Sequence, residues 1–209
     1  MTIEREIRLL RGLHVEQRKD NKPPTLTGYA AVFDTETDIG GYWREKIARG
    51  AFADAITKAS ADVHALFDHD TGRVLGRMKA GTLRLAEDDK GLTVEIDPPE
   101  TQDARDLIAS IQRGDIDQMS FGFTMRGGVQ SWDDSQSPPV RTIEQVGELF
   151  EVSIVSQGAY PTTEIGVRTG IRDLEEYRDA RRRHHNFSAA AIRIRRRMDL
   201  GLRTRRTAR

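Results

Sequence analysis

The sequence predicts a mainly β protein with flanking helices, of the α+β class, for three reasons. Short runs of alternating apolar and polar residues recur between residues 3 and 156, and glycine or proline separates many of them. One amphipathic helical segment lies between residues 101 and 114. An arginine-rich segment with good helix formers and no proline follows the last strands. We therefore expect a compact domain over residues 1–167 and a helical or disordered basic tail over residues 168–209.

Charge is distributed unevenly along the chain, although the formal net charge of the 209 residues is zero. The segment from Arg168 to Arg209 contains 14 arginines and 5 acidic residues, whereas the residues before it contain 19 basic and 28 acidic ones. Such a separation of charge is typical of an interaction tail rather than of a second folded domain.

Several function classes are disfavoured by composition. The chain has no cysteine, which excludes a thiol nucleophile, disulfides and thiolate metal sites. No apolar run approaches the roughly 18 to 20 residues that a membrane helix needs, and no apolar signal region follows the first residues. Motifs of phosphate loops, zinc proteases and α/β hydrolases are absent. We expect a cytoplasmic protein without membrane contact, cofactor or metal.

The first half of the chain is predicted to form short strands and one short helix. Apolar residues at odd positions predict a half-buried strand over residues 3–15, and a second strand runs from Thr25 to Phe33. A polar loop with Gly40 and Gly41 follows, and a short helix begins after Gly50. Further strands, with the spacing of a β-meander, are predicted over residues 62–70, 74–78, 82–87 and 92–97, with a hairpin turn at 88–91.

The second half begins with the clearest helix. Thr101 is a suitable N-cap, the apolar residues repeat at helical spacing, and Gly114 occupies the position expected of a C-terminal glycine. A strand then covers Met119 to Met125. Residues 126–139 are rich in Gly, Ser, Asp and Pro, which predicts a mobile loop or a long hairpin. Strands at 140–146 and 149–156, a turn at 160–163 and one or two basic helices complete the chain.

Ser120 is a candidate nucleophile because of the strand that carries it. Large apolar residues alternate along this strand with Ser120, Gly122 and Thr124, so one side is apolar and the other carries a hydroxyl beside a glycine. A glycine leaves room for another chain to approach closely. Most serines in strands have no chemical role, so the hypothesis needs support from other residues.

His69 and Glu151 are the two residues that support it. His69 stands at the exit of the 62–70 strand, and imidazole is the side chain best suited to act as a general base near neutral pH. The alternative is a surface histidine among acidic residues. Glu151 interrupts an apolar strand, where a buried carboxylate costs several kcal/mol unless it is paired. The alternative there is an edge or solvated position on Leu149's side of the strand.

Together, Ser120, His69 and Glu151 would provide the nucleophile, base and acid of a serine hydrolase. Backbone N–H groups of Gly158 and Ala159, just beyond the Glu151 strand, are candidates for stabilising the oxyanion, and Arg126 is another. A metal site at Asp68, His69 and Asp70 is a weaker hypothesis, because neighbouring strand residues point to opposite sides.

At these residues the sequence resembles the prohead maturation proteases of tailed phages and prophages, distant relatives of the herpesvirus assemblins. The resemblance covers about residues 25–168. The segments that carry it are, in chain order, Gly28–Phe33, Leu66–Asp70, Leu75–Arg77, Gly91–Leu92, Arg113–Asp115, Met119–Phe123, Glu148–Ser153 and Ala159–Pro161.

The resemblance implies a serine endopeptidase with an assemblin-like, closed or partly open β-barrel, which trims capsid and scaffold proteins inside the immature shell in the host cytoplasm. His69 and Ser120 match the family's base and nucleophile, and Glu151 matches the third position, which resembles a histidine in the assemblins. Self-cleavage and homo-oligomerisation stay open. The rival hypothesis is a non-catalytic assembly factor whose basic tail binds an acidic capsid surface or nucleic acid.

Overall fold

The computed structural model describes residues 5–11, 13–16, 24–156 and 170–183. The chain divides into two compact units, Met1–Arg168 and Thr169–Arg209. In the second unit the described residues form one helix, α3 (170–183), which is predicted as part of the basic tail. The predicted turn at 160–163 and the rest of the tail lie outside the described residues.

The first unit is mainly β, as the sequence predicts. Its described strands are β1 (Glu6–Arg11), β2 (His14–Glu16), β3 (Thr25–Val32), β4 (Thr37–Ile39), β5 (Trp43–Ile47), β6 (His64–Phe67), β7 (Asp70–Arg77), β8 (Leu83–Glu87), β9 (Gly91–Ile96), β10 (Gln118–Thr124), β11 (Val129–Asp133), β12 (Val140–Gln145) and β13 (Glu148–Val155). The helices are α1 (Ala53–Thr57) and α2 (Gln102–Arg113), with a 3-10 turn at Met78–Ala80.

The strands form three sheets rather than the expected barrel. Their orders are β1-β10-β13-β6-β7, β11-β12-β5-β4 and β2-β3-β9-β8. Within the described ranges none of these sheets closes on itself. The predicted meander is also divided, because β7 pairs with β6 in the first sheet whereas β8 and β9 pair with β3 in another. The first sheet carries all three candidate catalytic residues.

The core lies on one side of β10, and the predicted alternation of this strand is confirmed. Met119, Phe121 and Phe123 are at most 1% exposed. Phe121 packs edge-on against Phe52, which precedes α1, with ring centroids 5.4 Å apart. Burying an aromatic side chain contributes about 1.5 to 3 kcal/mol. These contacts fix which side of β10 faces the core and therefore which side presents Ser120.

Helix α2 has the ends that its sequence predicts, and it delivers the chain to β10. Thr101 Oγ1 accepts a hydrogen bond from the Ala104 N–H at 3.3 Å, and Asp103 lies in the first turn. At the other end Gly114 has φ +83°, a left-handed conformation that glycine adopts without strain. Only four residues then separate the end of α2 at Arg113 from the start of β10.

Two segments predicted as loops contain strands. β4 and β5 form a hairpin within the supposed polar loop, and β11 occupies part of residues 126–139, where the long-hairpin alternative is the correct one. The residues that indicate buried strands in these two segments are tryptophans: Trp43 and Trp132 pack edge-on with ring centroids 5.8 Å apart. Charged residues between the apolar positions of β5 obscured the pattern, since Glu45 is itself buried.

The prediction for β1 is wrong about which side is more buried. Ile7 and Leu9 are only partly buried, whereas Glu6 and Arg8 are 1% and 6% exposed. Their charges are compensated by Glu45 of β5 and Arg141 of β12. Arg8 Nη2 lies 2.7 Å from both Glu6 Oε2 and Glu45 Oε2, and Arg141 Nη1 lies 2.7 Å and 2.9 Å from the same two oxygens.

This group of two acids and two arginines, the buried ionic network, joins β1 of the first sheet to β5 and β12 of the second. Burial raises the pKa of Glu45, but the charges and hydrogen bonds of Arg8 and Arg141 outweigh it and hold the pKa below its ordinary value. Glu45 is therefore ionised, and each member of the network depends on its partners.

We expect Arg141→Met to lower the free energy of unfolding by about 3 to 5 kcal/mol, because it leaves buried carboxylates uncompensated. Urea unfolding followed by circular dichroism measures the change. Arg84→Met is the matched control: Arg84 bonds Glu95 and Asp97 at 2.8 Å on the surface, so its loss should cost less than about 1 kcal/mol. Equal losses in the two variants would contradict the interpretation.

Candidate active site

His69 lies in a tight turn, two residues beyond the end of β6. The sequence predicts a strand through residue 70, but β6 ends at Phe67, and Asp68 and His69 connect it to β7 with φ of +51° and +59°. Two residues with positive φ are the geometry of a type I′ hairpin, and Asp and His tolerate it better than most residues. The turn therefore directs the imidazole independently of the alternation of β6.

The end of β13 fixes this turn in place. The Asp68 N–H donates to the Ile154 carbonyl at 2.8 Å, and the Asp68 carboxylate accepts from the Ser156 N–H at 2.7 Å and from its hydroxyl at 2.9 Å. Asp68 thus holds the hairpin to the strand that carries Glu151. No group of three or more His, Asp or Glu residues suited to a metal occurs in the described ranges.

Glu151 reaches the Ser120 side of the sheet through a β-bulge. The pairing of β10 with β13 shifts between Gly122 and Phe123, so that Leu149 is opposite the core-facing Phe123 and Glu151 is opposite Gly122. Phe150 is the extra residue. Glu151 and Leu149 therefore lie on opposite sides of the sheet, and the alternative of a solvated position on Leu149's side is wrong, since Glu151 is 2% exposed.

Three side chains compensate the buried carboxylate. His69 Nδ1–H donates to Glu151 Oε1 at 2.7 Å, Arg5 forms an ion pair with the same oxygen, and the Ser153 hydroxyl donates to Oε2. Gly122 provides the space, because a Cβ at this position would lie 2.4 Å from Arg5 Nε and 2.6 Å from Glu151 Oε1. The glycine beside Ser120 thus admits an ion pair of the chain itself.

These contacts determine the charge of Glu151. Burial raises the pKa of its carboxyl, but hydrogen bonds from His69 and Ser153 and the electrostatic interactions with His69 and Arg5 outweigh burial. The net pKa lies below the ordinary value for glutamate. Glu151 is therefore a carboxylate at neutral pH, as the orienting acid of a serine hydrolase needs to be.

Ser120 lies on the same side of the sheet as Glu151, one strand away. It is opposite Ser153 of β13 in the register, two residues from the Gly122 and Glu151 pair. Ser120 Oγ and His69 Nε2 are both buried, and neither has a hydrogen-bond partner among the described residues. The structure thus joins His69 to Glu151 directly and brings Ser120 to a neighbouring position, without forming the Ser120–His69 hydrogen bond.

The oxyanion candidates Gly158 and Ala159 lie outside the described residues. The other candidate, Arg126, follows the far end of β10, six residues beyond Ser120. At about 3.3 Å per residue it is roughly 20 Å away along the strand, so its side chain does not reach the hydroxyl. Arg126 is therefore too far away to stabilise an oxyanion at Ser120.

Arg5 and Ser153 are site residues that the sequence analysis missed. Arg5 interrupts the apolar residues at odd positions that predict this strand, and it is on the side of β1 that Ile7 shares, where Ile7 is opposite Gly122. Ser153 follows Glu151 at the strand period of two. An arginine on the half-buried side of one strand and a glutamate on another are the signal that could have paired them.

Comparison with known proteins identifies the family. The family model described as "Caudovirus prohead serine protease" matches residues 12–179, and the chain belongs to this family. It is therefore a serine protease, which favours the hydrolase hypothesis over the non-catalytic assembly factor.

A particular relative is the "Prohead protease" of Enterobacteria phage HK97, which is 32% identical over 162 residues, or 77% of this chain and 67% of that protein. No solved structure matches the chain significantly. In the described ranges no helix has the length and apolar composition of a membrane span.

Because the pKa of Glu151 is lowered in the folded state, its ionisation stabilises the fold above the unfolded pKa of about 4.3, and this stabilisation is lost as the pH falls through the folded pKa. We expect the unfolding free energies of the wild type and Glu151→Gln to differ at pH 7 and to converge on acidification. Urea unfolding from pH 7 to pH 3 measures both. Glu148→Gln is the control, because Glu148 is exposed on the same strand. Its unfolding free energy should differ from that of the wild type by the same amount at every pH. A difference that shrinks on acidification in this variant as well would contradict the assignment.

Proposed function

We propose that this protein cleaves peptide bonds by acyl-enzyme chemistry with Ser120 as nucleophile, His69 as general base and Glu151 as the orienting acid. The observation that carries the proposal is the 2.7 Å hydrogen bond from His69 Nδ1 to the buried Glu151 carboxylate, on the side of the sheet that presents Ser120. A buried carboxylate bound to an imidazole, with an unpartnered hydroxyl one strand away, supports this chemistry better than a structural ion pair alone.

The tautomer of His69 follows from its contact with Glu151. An ionised carboxylate only accepts hydrogen bonds, so Nδ1 carries the proton and Nε2 of the neutral ring is free to accept one. Within the part of the chain that the structure describes, Nε2 has no hydrogen-bond partner, and neither has Ser120 Oγ. In the proposed mechanism Nε2 accepts the proton of the Ser120 hydroxyl, and such bonds commonly tighten only when substrate is bound.

In the reaction Ser120 Oγ attacks the peptide carbonyl carbon while its proton passes to His69 Nε2. The tetrahedral intermediate then expels the amine, which takes that proton, and leaves an acyl ester on Ser120. Water repeats the sequence: His69 accepts its proton, the ester carbonyl is attacked, and Ser120 regains a proton as the acid leaves. Glu151 remains ionised throughout and stabilises the imidazolium.

Gly158 and Ala159 remain our proposed source of oxyanion donors. In support, β13 ends at Val155 opposite Gln118, so the chain leaves the sheet at the end of β10 nearest Ser120. Gly158 and Ala159 follow Val155 by only three and four residues, and their backbone N–H groups are the kind of donor that stabilises an oxyanion.

The substrates we propose are capsid and scaffold proteins of the immature shell, and the place of action is the assembling prohead in the host cell. The family description and the name of the HK97 relative support both statements. Peptide hydrolysis by the chemistry above needs no cofactor.

A fluorophosphonate probe tests the nucleophile. We expect it to label the full-length protein at Ser120, as located by mass spectrometry, and Ser120→Ala to abolish both labelling and cleavage of a co-expressed capsid or scaffold protein, with kcat/KM falling by at least about 10,000-fold. Ser131→Ala, an exposed serine bonded to Glu144 on β11 and β12, is the control and should be labelled like the wild type. Unimpaired labelling and cleavage by Ser120→Ala would exclude Ser120 as nucleophile.

We further propose that residues 1–167 form the protease domain and that 168–209 act in shell targeting. The charge separation supports this division: 14 arginines against 5 acids lie in the second segment.

Deletion after Val167 should leave peptide cleavage in solution within about twofold, yet reduce incorporation into shells, measured by gel analysis of purified proheads. A second deletion after Arg183, which keeps α3, separates the helix from the rest of the tail. Loss of solution activity in both deletions would contradict the division.

A further inference from the structure

A cavity of about 260 Å³ opens on the Glu151 side of the first sheet, and the proposed mechanism does not use it. Its walls are mainly apolar and come from Leu66 of β6, Val74 of β7 and the bulged Phe150 of β13. Val74 is 43% exposed, so the cavity is open to an incoming chain. The volume is below the roughly 300 to 1,000 Å³ of pockets for small-molecule ligands, which suits a single side chain.

The charged groups of the cavity already compensate each other. Arg5 and Glu151 both line it, and they form an ion pair, so neither is available as an uncompensated counter-ion for a charged ligand. His64 and Thr71 supply the remaining polar groups. A charged side chain would lose its hydration here without gaining a new partner charge, whereas an apolar side chain gains contacts with the walls.

The cavity is close to the proposed nucleophile. Leu66 is opposite Ser153, and Ser153 is opposite Ser120, so the Leu66 wall is two strands from the hydroxyl on the same side of the sheet. Two strand spacings amount to about 10 Å, which is roughly the length of three residues of extended peptide. A substrate held at Ser120 therefore reaches the cavity with a side chain near its scissile bond.

We infer that this cavity is a specificity pocket for a large, uncharged apolar side chain of the substrate, of the Leu, Met or Phe class, within about three residues of the cleaved bond. The inference rests on the proposed function and deepens it. Binding at this position adds to the interactions that select the substrate, and a well-filled apolar pocket discriminates side chains by about 10-fold or more.

Digestion of a mixture of random synthetic peptides by the full-length protein tests the inference, with the new termini read by mass spectrometry. In the wild type, one position within three residues of the cut should favour Leu, Met or Phe over Ala by about 10-fold. Val74→Trp, which fills the cavity, should reduce that ratio to about one. Thr71→Trp should do the same, and it also isolates this cavity, because Val74 but not Thr71 lines a separate groove of 590 Å³.

Val129→Trp is the matched control. Val129 is 45% exposed, close to the value for Val74, but it belongs to β11 in another sheet, so its variant should keep the wild-type ratio. Three results would overturn the inference: an apolar preference that persists in both cavity variants, a wild-type preference for charged residues, or no preference in the wild type. Fluorophosphonate labelling of Ser120 would still uphold the proposed function in each case. A wild type that is neither labelled nor active would overturn both.

Discussion

The compensation of one buried carboxylate, Glu151, links the fold of this protein to its chemistry. A carboxylate that is 2% exposed needs partners, and they come from three places in the chain: Arg5 before the first strand, His69 in the hairpin after β6, and Ser153 on the same strand. The four residues meet only when the first sheet has assembled in its observed order. Formation of the sheet and formation of the site are therefore one event.

The first strand takes part in two charge systems, one on each side. Arg5 neutralises Glu151 on the side that presents Ser120, while Glu6 and Arg8 enter the buried ionic network on the other. Ionic groups on both sides explain why β1 lacks a clean apolar pattern. They also make its register specific, because a shift by one residue would exchange the two sets of charges between the two sides of the sheet.

How much the sequence predicts depends on whether apolar burial or charge pairing fixes an element. Periodicity identifies α2 and β10, and the residue types at 69, 120 and 151 indicate the site, because core burial and acid–base chemistry each leave a local signature. The side of β1, the strands β4, β5 and β11, the hairpin at His69 and the bulge at Phe150 depend on partners distant in sequence, so local alternation misreads them. The role of Arg5 was missed for the same reason, because it depends on the space at Gly122 and on the charge of Glu151.

Because residues 5–8 form ion pairs on both sides of the first sheet, the structure depends strongly on this segment. Clipping of the chain after Arg8 would remove one cation from Glu151, two members of the buried ionic network and part of the strand that pairs with β10. The part of β10 from Phe121 to Phe123 would then lose its partner strand and become an unprotected edge, open to pairing with other chains. A single cut there would thus remove contacts from both sides of the first sheet at once.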